Sequence, residues 1–139
     1  MIVMVVGVIF AVAGVVTYVM VANELKAEKI TVSEDAANFA GQDVSGPLTA
    51  YAEAEVINKH ALEATGGKTY AELDREDPAR TTAMQASFLR ASLFTSVVAF
   101  GVAFMAVGLG VVLVLIGVAV VLMAGRLTVA LRSPPRAAA

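Results

Sequence analysis

The side chains able to do chemistry in this 139-residue chain are few, and almost all lie between positions 23 and 90. The one histidine, His60, stands three positions before Glu63, a spacing that on a helix can present an imidazole and a carboxylate to one metal ion. Glu53, Glu55, Glu63, Glu72, Asp74, Glu76 and Asp77 crowd the same stretch, and paired carboxylates are the material of general acid and base catalysis. Neither pattern is specific. The plainer reading is a solvated helix face and an acidic surface that attracts cations or a basic partner. The chain has no cysteine, which removes a thiol nucleophile, a cysteine-ligated zinc site and any disulfide. It has no P-loop, dinucleotide fingerprint or Ser-His-Asp elbow, and its basic residues form no patch for nucleic acid. No catalytic, cofactor-binding or metal residue is assigned, and no cofactor is expected.

The elements that must position these groups are unusual. Apolar types make up 58% of the chain and charged types 16%, against about 45–50% and about 25% in ordinary globular domains. The charges fall in blocks: none over 1–22, seven Lys or Arg and twelve Asp or Glu over 23–90, none over 91–125, then Arg126, Arg132 and Arg136. A hydrocarbon core of about 30 Å is crossed by roughly 20 helical residues, and both uncharged runs reach that length. The expected class is an all-α membrane protein. Two transmembrane helices, over 1–22 and 91–125, flank a small helical extracytoplasmic cap over 23–90, and a basic tail follows over 126–139.

Orientation follows from the arginines. Arg126, Arg132 and Arg136 have no acid among them and place the tail in the cytoplasm, while the acidic middle, with a net charge of −5, lies outside. Lys26 and Lys29 argue weakly the other way. The expected location is the plasma membrane, with both termini cytoplasmic. The first run lacks a basic start and is longer than the apolar stretch of a signal peptide, so it reads as a retained anchor with Tyr18 as an interfacial aromatic.

The second run is too long for the bilayer: its 35 residues make about 52 Å of helix, more than ordinary tilt can hide. Its outer end, marked by Ser87, Ser92, Thr95 and Ser96, is expected to project from the membrane and to need a protein cover. Asp77-Pro78 is a helix start, so one helix can run from Pro78 through the whole span. Gly46-Pro47 and Gly66-Gly67 bracket a helix over 48–65. Thr69 and Glu72 fit a capping box opening a turn over 70–73, and Ser33 is another possible cap in the less legible stretch 30–44. Residues 133–139, with Pro134-Pro135, read as disordered.

Two packing surfaces follow from spacing. Gly7 and Gly14 in the first span, and Ala103, Gly110, Gly117 and Ala124 in the second, recur every seven residues and would let helices approach closely. In 48–65 the apolar positions Leu48, Tyr51, Ala54, Ile57, Ala61 and Leu62 form one face. The projecting helix offers Phe88, Phe94, Val97 and Val98. These are expected to pack on the face of Tyr51, Ile57 and Leu62, leaving any uncovered remainder to a partner.

The stretch 56–110, with HALEATGGKTYAELDREDPAR and ASFLRASLFTSVVAFGVAFMAVGLG, together with 30–37 and 46–51, resembles a family of short two-span membrane proteins of high-GC Gram-positive bacteria. Many members of that family carry cysteines in the outer segment, and here any disulfide staple they imply is absent. Members are often described as aromatic ring-opening dioxygenases, which implies a non-haem iron held by two histidines and a carboxylate. A chain whose sole histidine is His60 cannot build that triad alone. With no charge inside either span, there is also no proton relay or ion path in the lipid core. The expected function is therefore a noncatalytic accessory or scaffold subunit of a larger plasma-membrane complex, respiratory or envelope, with the lipid bilayer and other membrane subunits as partners. The alternative is an extracytoplasmic ligand-binding or sensing module on two anchors, favoured if a polar pocket forms near His60.

Overall fold

The computed structural model describes residues 1–132 of the chain, with side chains as far as Thr128. Helix α1 spans Ile2–Ala27, α2 spans Pro47–Ala64 and α3 spans Ala79–Arg132. No strand forms among the described residues. Two helices are long and apolar enough to cross a membrane, and both are largely uncovered by protein, which is compatible with a membrane location. The disorder expected over 133–139, and Arg136, lie outside the described residues.

The helix boundaries follow local chemistry. α1 continues past the uncharged run through Glu24 and Lys26, and the lysine sits in the last turn, where a cation meets the free carbonyls. At the start of α2, Pro47 takes the first helical position and the Thr49 hydroxyl accepts the amides of Ser45 and Gly46 at 3.1 and 3.2 Å. Its end is a Schellman closure: the Gly67 amide reaches Leu62 O at 2.7 Å, and Gly66 and Gly67 hold φ of +63° and +83°, where a side chain would be strained. The Asp77 carboxylate accepts the Ala79 amide at 2.9 Å and opens α3. From there α3 runs 54 residues without a break, about 80 Å.

The chain divides into two units, and α1 and α3 contribute to both. One unit is Met1–Val15 with the described residues from Phe104 on; the other is Val16–Ala103. In the first, the helices touch backbone to backbone. A Cβ built on Gly110 would lie 2.5 Å from Ala11 N and from Gly7 O, and one on Gly7 would lie 2.7 Å from Gly110 O. Gly117 faces Met4, where a Cβ would meet the side chain first and the backbone N at 3.0 Å. Ala124 is exposed and departs from the expected stripe. Gly117 already faces Met4 near the start of α1, and a residue two turns further along α3 has no partner helix beside it.

The second unit has a core of ordinary side chains: Leu25, Val32, Val44, Leu93 and Phe100 with Ala22, Ala50 and Ala54. Tyr18 packs on Phe100, ring centroids 4.9 Å apart. The segment 30–44 is a loop pinned on itself by a single antiparallel bridge between Thr31 and Asp43 and by amide bonds from Val32 to Gln42 O and from Val44 to Ile30 O. Ser33 caps no helix there.

Candidate functional site

The loop 30–44 and α2 meet at two polar pins, both inside the second unit. The buried carboxylate of Glu53 accepts the Ser33 amide at 2.7 Å and the Ser33 hydroxyl at 3.1 Å. A buried carboxylate needs such donors, because desolvation without them is costly. The second pin is exposed. Lys59 Nζ donates to Asp35 Oδ2 at 2.8 Å, and His60 Nε2 lies 2.9 Å from the same oxygen, a contact that requires Nε2 to carry its proton. Hydrogen bonds from Lys59 first and His60 second hold the Asp35 carboxyl down from 3.8 to about 2, and the same pairing raises the Lys59 ammonium.

Beside the second pin, the loop and α2 enclose an open cleft of about 540 Å³. Phe39, Leu48, Tyr51 and Val56 line it with Asp35, Glu55 and Lys59. Phe39 sits at φ +63°, the left-handed region that a bulky side chain rarely occupies.

The sequence-derived interface is only partly assembled. Ile57, Phe94 and Val97 pack against the core, and Tyr51 meets the Phe94 ring edge-on at 5.8 Å while remaining half exposed. Leu62 is half-buried and lines a small cavity with Tyr70 and Arg90, whose guanidinium lies 5.8 Å from the Phe94 ring centroid. Phe88 and Val98 are not covered, with 69% and 65% of their surface exposed, which corrects the expectation that they pack on α2. The reason is helical phase. Leu93, Val97 and Phe100 share one stripe, and Phe88 and Val98 each lie five residues from Leu93, about 140° around the helix. Phe94 is half-buried, so truncating it costs less than the about 3–5 kcal/mol of an enclosed phenylalanine, a loss that belongs to Phe100.

The buried positions of α2 match the expected face only in part: Ala50, Glu53, Ala54 and Val56 are buried, Ala54 as expected, while Leu48 stands 65% exposed. Alanines allow close approach but weigh little in an apolar pattern read by bulk. The α3 hydroxyls of Ser87, Thr95 and Ser96 bond the carbonyls four residues back, so each has an acceptor within the helix itself.

His60 pairs with Asp35, not with Glu63, and among the described residues no three metal-ligating side chains converge on one point. Asp35 and Lys59 carry no local signal of a site because they are 24 positions apart, and the Ser33 hydroxyl, a possible cap by its neighbours alone, reaches Glu53, 20 positions away. At Thr69 half of the capping box forms: Glu72 accepts both the amide and the hydroxyl of Thr69, at 2.8 and 2.7 Å, which lowers the Glu72 carboxyl. No family model matches the chain, and no curated protein or solved structure is detectably similar to it.

Proposed function

We propose that the chain is a noncatalytic accessory or scaffold subunit of a larger plasma-membrane complex, with α1 and α3 as membrane helices and 23–90 on the outer side. The observation that carries this reading is the uncovered apolar surface of α3 within the second unit. Phe88, Leu89 and Val98 remain exposed although Leu93 and Phe100 on the same helix are enclosed. The exposed side chains stand on different sides of the helix, Val98 about 180° around from Leu89, and apolar side chains of this size left bare outside lipid are sites for another chain to cover. The uncharged spans support the reading, since they offer no group for transport chemistry. A photo-crosslinking residue at Phe88 or at Val98, in cells, should capture one defined membrane subunit that the same residue at Glu63 does not. Crosslinks to lipid alone at both positions would remove the scaffold reading.

A second reading is favoured by one feature, the cleft beside Asp35, Lys59 and His60: an outer ligand-binding or sensing module. It predicts that a small ligand alters the segment 35–39, observable as protection from hydrogen exchange.

A further inference from the structure

The cleft between the loop 35–39 and α2 is framed by bonds within the chain. Ser33 is fixed on Glu53, and Asp35 on Lys59 and His60. Between these pins and Gly41, the turn is closed by the amides of Ala36 on Ser33 O, Gln42 on Phe39 O and Gly41 on Val32 O. These bonds hold Phe39 in its left-handed conformation at the cleft wall. Backbone outliers of this kind persist where the surroundings over-determine them, and they concentrate at binding sites. At about 540 Å³ the cleft falls within the range of small-molecule sites, about 300–1,000 Å³.

Its chemistry narrows the occupant. Leu48, Tyr51, Glu55 and Lys59 follow one another at spacings of three, four and four, so they share one face of α2. Leu48, Tyr51 and Phe39 supply apolar and aromatic surface that is 65%, 49% and 37% exposed. The charges at the mouth do not balance. Lys59 is engaged by Asp35, which leaves the Glu55 carboxylate in excess in a cleft that the Tyr51 and Phe39 rings also line. A carboxylate next to aromatic faces is a setting for an organic cation, attracted by the charge and by the ring quadrupoles.

We propose that this cleft binds a small amphiphile carrying one ammonium group, its apolar body against Leu48 and Val56 and its cation between Glu55 and the rings of Tyr51 and Phe39. The proposal rests on the ligand-binding reading and adds the charge of the ligand. An anionic amphiphile would meet the uncompensated Glu55 and is selected against. The surface acids outside the cleft, Glu63 among them, take no part.

The test uses the full chain in a neutral maltoside detergent, with empty micelles as control. Three probes of similar size are titrated by saturation-transfer NMR: benzyltrimethylammonium, benzyl alcohol and benzoate. Benzyltrimethylammonium should bind, and Glu55→Gln and Tyr51→Leu should each weaken it by about three- to fivefold, the worth of one exposed charge or cation–π contact. Glu63→Gln should leave it unchanged, and circular dichroism should show all variants folded. If benzyl alcohol or benzoate binds as tightly, or if Glu55→Gln behaves like Glu63→Gln, the ammonium assignment is wrong while the cleft remains a ligand site. If no probe binds, the ligand-binding reading falls with it.

Discussion

The two units hold the same two helices together by opposite means. In Met1–Val15 with Phe104 onward, contact is made by what is missing: Gly7 and Gly110 bring backbones so close that no Cβ fits between them. In Val16–Ala103 contact is made by bulk, with Phe100 and Leu93 enclosed, and by polar pins such as Ser33 on Glu53. The difference is what two solvents would impose. Lipid tails compete for apolar side chains, so helices in lipid gain by close approach. Where water is the solvent, burying bulk is the driving force, and each polar group carried inward needs a partner.

The comparison can be broken by exchanging what each unit depends on. The largest effect is expected from Phe100→Ala, because the ring is fully enclosed. It should lower stability by about 3–5 kcal/mol, read from thermal or denaturant unfolding in detergent. A loss of less than about 1 kcal/mol, little more than an exposed substitution costs, would mean the bulk-packed unit is not held by its core.

Next in size is Gly110→Leu, which places side-chain atoms where Ala11 and Gly7 backbone stands. Overpacking of this kind costs about 1–3 kcal/mol and should separate α1 from α3, measured as loss of a disulfide engineered between the two helices. Gly117→Leu should cost less, since part of what it meets is the flexible Met4 side chain, and Gly101→Leu should cost least, with nothing within 4 Å. Equal effects at all three would make the glycine contact a matter of composition.

Glu53→Leu leaves the Ser33 amide without its acceptor, and about 1–3 kcal/mol should be lost. Glu53→Gln, which keeps an acceptor oxygen, should recover most of it in the same unfolding measurement.

The smallest effect is that of the exposed pin. The Asp35 carboxyl is depressed in the folded chain, so the stability it contributes is complete above its ordinary 3.8 and is lost as pH falls through about 2. The thermal midpoints of the wild type and Asp35→Asn should therefore differ slightly near pH 6 and converge near pH 2. A difference that grows on acidification would reverse the sign of this pairing.

How much of this was legible in the residues depended on range. Uncharged runs, Asp77-Pro78, Gly46-Pro47 and Gly66-Gly67 announce helices and their ends because they act within one or two turns. The seven-residue recurrence of Gly7, Gly14, Ala103, Gly110 and Gly117 was equally plain, and all five are buried. The face of α2 was legible only in part: Ala54 falls on the apolar spacing, but Ala50 and Glu53 look indifferent until a neighbour approaches them.

The sequence by itself therefore determined three helices, both ends of α2 and the start of α3, two spans apolar enough for a membrane and the absence of a cysteine or a second histidine. Only the tertiary structure decided which side of α3 is covered, that Ser33 serves Glu53, that Asp35 draws Lys59 and His60 together, and that these pins frame a cleft. The reason is physical. Capping and hydropathy are set by neighbours along the chain, whereas the partners in these pins lie 20 to 25 positions apart and meet only after loop and helix have packed.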